Sequence, residues 1–84
     1  MQTIFKYEVK EGVQIPQGYN ILDIQTKDSV IYLWAIVDTE QPLVELDLKI
    51  IGTGWDLSLH NLNGYEYFRT VQEGFYVWHI FKPL

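Results

Sequence analysis

Residues Val30 to Val37 read Val-Ile-Tyr-Leu-Trp-Ala-Ile-Val, eight apolar or aromatic side chains with no polar break. A β-strand sends alternate side chains to opposite faces, so this run offers apolar surface on both. One face packs on the domain's own core. The other needs a second cover: a loop, another sheet, a second copy of the chain, or a ligand. The constraint is tight because 84 residues make a single β-rich domain, and a domain of that size removes only about 60–65% of its unfolded surface from water.

The rest of the chain carries the period of strands and the punctuation of turns. Thr3–Lys10 alternates, with Phe5, Tyr7 and Val9 on one face and Lys6, Glu8 and Lys10 on the other. Ile15-Pro16-Gln17-Gly18 is turn chemistry, since Pro fixes φ and Gly accepts positive φ. Asn20–Lys27 is a second strand, and the short Lys27-Asp28-Ser29 connection pairs it antiparallel with the apolar third. A fourth strand over Leu43–Ile51 puts Val44, Leu46, Leu48 and Ile50 inward and Glu45, Asp47 and Lys49 outward. Trp55–Asn63 fits a short helical turn or a packed loop. Tyr65–Val71 and Phe75–Phe81, joined at Glu73-Gly74, form a terminal hairpin whose last strand is again apolar on both faces. The pattern predicts an all-β or mainly β fold: a small antiparallel sandwich, or a curved, partly closed six-stranded sheet with at most one short helical turn.

Composition narrows the function classes. The formal charge of −5 repels phosphate backbones and argues against direct nucleic-acid binding. With no cysteine, the chain has no disulfide and no thiolate nucleophile or ligand. No apolar run approaches the ~20 residues of a membrane helix, and Met1 to Glu8 lacks the pattern of a signal peptide. These features read as a soluble intracellular protein with no cofactor.

Motifs for catalysis or metal binding are weak. Gly52-Thr53-Gly54 follows a strand, and successive backbone N–H groups in such a loop can cradle an anion, with Thr53 adding a hydroxyl and Lys49 or Arg69 a charge. The same glycines equally serve a tight turn that needs positive φ. His79 lies beside Trp78 in an aromatic strand, where it either meets a ligand or is a satisfied packing residue. His60 and His79 have no carboxylate at ligand spacing, so no metal site is expected. Trp34, Trp55 and Trp78, with Tyr65, Tyr67 and Tyr76, offer rings for stacking or for burial. Enzymatic activity is not expected.

The ordered blocks Ile4-Phe5-Lys6-Tyr7, Ile15-Pro16-Gln17-Gly18, Leu33-Trp34-Ala35-Ile36-Val37-Asp38, Ile50-Ile51-Gly52-Thr53-Gly54 and Val77-Trp78-His79-Ile80-Phe81 resemble a family of short, uncharacterised phage and prophage proteins. Chains of that family commonly continue the Gly-Thr-Gly block with His-Pro, where Trp55-Asp56 stand here. The resemblance implies an accessory protein in the cytoplasm of an infected host cell. One expected role is countering host immunity by sequestering a nucleotide signal. Gly52, Thr53 and Gly54 then hold phosphate, Lys49 or Arg69 neutralises it, and Trp34, Trp55 or Trp78 stacks the base beside His79. The alternatives are inhibition of a host protein and a minor structural or assembly role in the phage, and in each role the chain is expected to be a homo-oligomer.

Overall fold

A computed structural model describes all 84 residues, and the chain is mainly β. It holds three small antiparallel sheets and one 3-10 turn, with no closed barrel. No helix is long and apolar enough to cross a membrane. The chain forms two compact units, Met1–Leu46 and Asp47–Leu84.

In the N-terminal unit, β1 (Gln2–Glu8) and β3 (Asn20–Lys27) flank β4 (Val30–Asp38) in a three-stranded sheet. The strand expected to be buried on both faces is buried on one. Ile31, Leu33, Ala35 and Val37 are buried, and they alternate with Tyr32, Trp34 and Ile36, which are only half-buried. The register explains how the second face stays partly wet. Lys6 lies opposite Trp34, and Glu8 opposite Tyr32. The Lys6 ammonium sits 4.2 Å from the centre of the Tyr32 ring and 5.8 Å from that of Trp34. A lysine that lays its stem along aromatic surface and keeps its charge in water covers such a face without a second layer. On the buried face Leu33, Ala35 and Val37 meet Tyr7, Phe5 and Thr3 across the ladder. Each fully buried Leu or Ile there contributes about 1.5–3 kcal/mol.

Further expectations from the sequence are revised. Leu43–Ile51 is not one strand but two, β5 (Leu43–Glu45) and β6 (Lys49–Gly52), because its halves find different partners. The first pairs with β2 (Gln14–Pro16), the second with β8 (Tyr76–Pro83) in the C-terminal unit. Ile15-Pro16, expected in a turn, forms most of β2. Pro16 ends that strand, where its missing N–H interrupts no ladder. Gln17 N–H donates to the Pro42 carbonyl at 2.8 Å, which carries the pairing with β5 one residue past Pro16.

In the C-terminal unit β8 is the central strand, between β6 and β7 (Tyr65–Glu73). Glu73 pairs with Tyr76, so Phe75, expected in the last strand, sits with Gly74 at the hairpin tip, its side chain fully exposed. A register shift at Phe68 between Tyr67 and Arg69 marks a β-bulge in β7.

The β3–β4 hairpin turns on Asp28 and Ser29, both at positive φ (52° and 64°). That is the geometry of a type I′ turn, which Asn-Gly fits best. Replacing Asp28→Asn and Ser29→Gly together is expected to raise stability by about 0.5–1 kcal/mol. Urea unfolding monitored by fluorescence measures it, and a less stable double variant contradicts this turn.

Candidate functional site

The C-terminal unit gathers the polar and aromatic groups of interest around one tight turn. Trp55 N–H donates to the Gly52 carbonyl at 3.1 Å, closing Gly52–Trp55 into a β-turn with Gly54 at φ +86°. A positive φ at the third position is the signature of a type II turn and is why glycine stands there. Thr53 N–H donates to the Val77 carbonyl at 3.2 Å. Two of the donors that an anion cradle requires are therefore spent within the fold.

Gly52 serves packing rather than backbone freedom. A Cβ at this position would lie 2.6 Å from Trp55 Nε1 and 2.7 Å from its Cε2, so the indole rests on the bare glycine Cα. The ring is held from two further sides. It stacks on His60 with centroids 5.5 Å apart and an 18° interplanar angle, and meets Trp78 edge-on at 5.6 Å. His60 follows the 3-10 turn Leu57–Leu59, which Asp56 caps by accepting the Ser58 N–H at 2.9 Å. Hydrogen bonding from the Ser58 side chain, and then from its N–H, holds the Asp56 carboxyl below its ordinary value.

On the face of β8 that carries His79 runs a chain of four side chains. Tyr67 OH lies 2.8 Å from Thr70 Oγ1, which lies 2.9 Å from His79 Nδ1. On the other side of the ring, His79 Nε2 lies 2.7 Å from Thr53 Oγ1. The bulge at Phe68 makes this possible. Strand positions three apart normally point to opposite faces, but the extra residue puts Tyr67 and Thr70 on the same face, opposite Phe81 and His79. The Thr53 hydroxyl has two acceptors in reach, Nε2 at 2.7 Å and the Val77 carbonyl at 3.5 Å, and its proton goes to one or the other according to the tautomer of His79. With Nε2–H the ring accepts from Thr70 at Nδ1, and with Nδ1–H it donates there.

Two shallow openings flank the turn. One, of about 260 Å³, runs between Thr53, Trp55 and the Phe75–Trp78 stretch. The other, of about 240 Å³, lies among Ile51, Thr53, Trp55, Leu57, His79 and Phe81. Of the residues singled out from sequence, Gly52, Thr53, Gly54, Trp55, Trp78 and His79 border these openings. Lys49 and Arg69 line neither. Lys49 holds its ammonium 5.2 Å from the Tyr65 ring centre, and Arg69 pairs across the ladder with Ile80. Trp34 belongs to the N-terminal unit, under Lys6. Thr70 was missed, and Tyr67 was read only as a stacking ring, since nothing in Tyr65–Val71 announces the bulge that joins them. No group of three His, Asp or Glu side chains is placed to hold a metal ion.

The site defines the class: a small β unit with an aromatic-walled groove beside a buttressed tight turn. The chain belongs to the family described as "Domain of unknown function (DUF7352)", whose model matches residues 1–84. This agrees with the resemblance to an uncharacterised family. No curated protein and no solved structure matches the chain.

Two outcomes test the buttress. Gly52→Ala should displace the Trp55 indole and break its contacts with His60 and Trp78, seen as loss of aromatic ring-current shifts by NMR, with the sheet retained. Asp56 supplies a pH dependence whose sign is fixed by its lowered pKa. Its contribution is complete above the ordinary carboxyl value of 3.8 and is lost as pH falls through the lower folded value. The Ser58 amide resonance should therefore move only below that value, and Asp56→Asn, which keeps the capping oxygen, should abolish the titration.

Proposed function

We propose that this is a non-enzymatic binding protein that acts by occupancy in an infected cell, and that it inhibits a host protein through the aromatic surface of its C-terminal unit. One observation carries the reading. Trp55, Phe75 and Tyr76 are 48%, 103% and 65% exposed around a single groove, and exposed Leu57 borders the second opening, which shares Trp55 with it. Large aromatic and aliphatic side chains left in water next to a concavity are the usual makings of a protein interface, where Trp and Tyr supply most of the binding energy. The phage setting rests on the resemblance of the sequence blocks.

Sequestration of a nucleotide signal is the second reading. It is favoured by Tyr76 and Trp78, stacked with centroids 5.7 Å apart, as a platform for a base. It ranks below the first because a phosphate group also calls for a cation, and no Lys or Arg borders either opening. Self-association would draw on the same exposed rings.

The tagged protein, recovered from infected cells, should retain one host protein in a defined ratio. Phe75→Ser should weaken that complex by about 1–2 kcal/mol without lowering Tm, because the side chain is fully exposed at a hairpin tip. Native mass spectrometry separates the alternatives: a retained nucleotide supports sequestration, a homo-oligomer broken by Phe75→Ser supports self-association, and either one without a host protein refutes inhibition.

A further inference from the structure

The opening between the Gly52–Trp55 turn and His79 constrains what can enter it. Its volume of about 240 Å³ falls below the ~300–1,000 Å³ of pockets that enclose whole small-molecule ligands. It suits one side-chain-sized group. Ile51, Leu57, Phe81 and Trp55 make the walls apolar, and no charged side chain borders it. A charged group would lose its hydration there without a partner.

The polar rim is more selective than the walls. His79 has both ring nitrogens engaged, Nδ1 by Thr70 and Nε2 by Thr53. In either tautomer the Thr53 proton is engaged, at Nε2 or at the Val77 carbonyl. A hydroxyl oxygen has two lone pairs, and Nε2–H uses at most one. What the side chains leave at this rim is a Thr53 lone pair, an acceptor with no free side-chain proton beside it. Toward these side chains a group that donates is matched and a group that only accepts is not.

We infer that this opening is a docking pocket for a neutral aromatic hydrogen-bond donor on the partner protein, the phenol of a tyrosine or the indole of a tryptophan, with its ring against Trp55 and Phe81 and its O–H or N–H on Thr53 Oγ1. The inference rests on the protein-binding reading above and adds the chemistry of the anchor. The chain's charge of −5 also favours an anchor flanked by basic residues. Tyr67, Thr70 and His79 are positioning residues: they hold the imidazole against Thr53 Oγ1, which engages the hydroxyl proton and leaves the oxygen an acceptor.

The test is an NMR titration of the full chain with N-acetyl-tyrosinamide, N-acetyl-phenylalaninamide and N-acetyl-O-phosphotyrosinamide. The tyrosine probe should shift the Thr53, Trp55 and His79 resonances saturably. The phenylalanine probe, lacking the donor, should bind roughly three- to tenfold more weakly, the worth of one hydrogen bond. The phosphorylated probe should leave these resonances unmoved. Thr53→Val should bring the tyrosine probe down to the phenylalanine level while the phenylalanine affinity holds. Three results overturn the inference: no saturable shift with the tyrosine probe, a preference that survives Thr53→Val, or binding of the phosphorylated probe, which would assign the opening to an anion held by the Gly54 N–H. If the probes fail while Phe75→Ser still releases a host protein, the pocket assignment falls and the protein-binding reading stands.

Discussion

The site depends on β8 being hydrogen-bonded along both edges. With β6 on one side and β7 on the other, the strand brings Thr53 and Thr70 to the two nitrogens of one imidazole, although they are far apart in sequence. A histidine on an exposed strand has many rotamers and makes its bonds to water. Here two hydroxyls, one from the turn after β6 and one from β7, restrict the ring, and the ring in turn ties the Gly52–Trp55 turn to the far strand. The bulge at Phe68 is the second requirement. Without the extra residue, alternation would turn Thr70 or Tyr67 away from His79's face and cut the chain of hydrogen bonds.

Trp55 shows how a small unit holds a large side chain in place without burying it. The indole lies on the Cα of Gly52, against the flat ring of His60 and the edge of Trp78, yet about half of it remains in water. An exposed aromatic that is already immobilised loses little further freedom when a partner covers it, and that lowers the entropic cost of binding. The glycine-flanked loop thus contributes less through its backbone N–H groups, which are mostly spent, than through the space that Gly52 leaves open.

The N-terminal unit meets its apolar surplus differently. Tyr32 and Trp34 are neither buried under a second layer nor left bare, because Lys6 from the neighbouring strand covers them. An apolar run along a strand is commonly read as demanding a cover on each side. A single long amphipathic side chain at the right register position meets part of that demand, and the run Val30–Val37 then belongs to an ordinary two-faced strand.

The mainly β class and the antiparallel pairings of Asn20–Lys27 with the Val30–Val37 run and of Tyr65–Val71 with the last strand were legible in the linear order of residues. Each depends on contacts between near neighbours: side-chain period, turn chemistry and short connections. The division of Leu43–Gly52 between two sheets was not legible, since its alternation is continuous and only the identity of the partner strands changes. Nor was the hydrogen-bonded chain through His79, for the same reason. Which hydroxyls meet its two nitrogens depends on a bulge in one strand and a turn after another, and residue order carries no local mark of that meeting. Gly52 was visible as an unusual residue, but its purpose became clear only once Trp55 had folded back upon it.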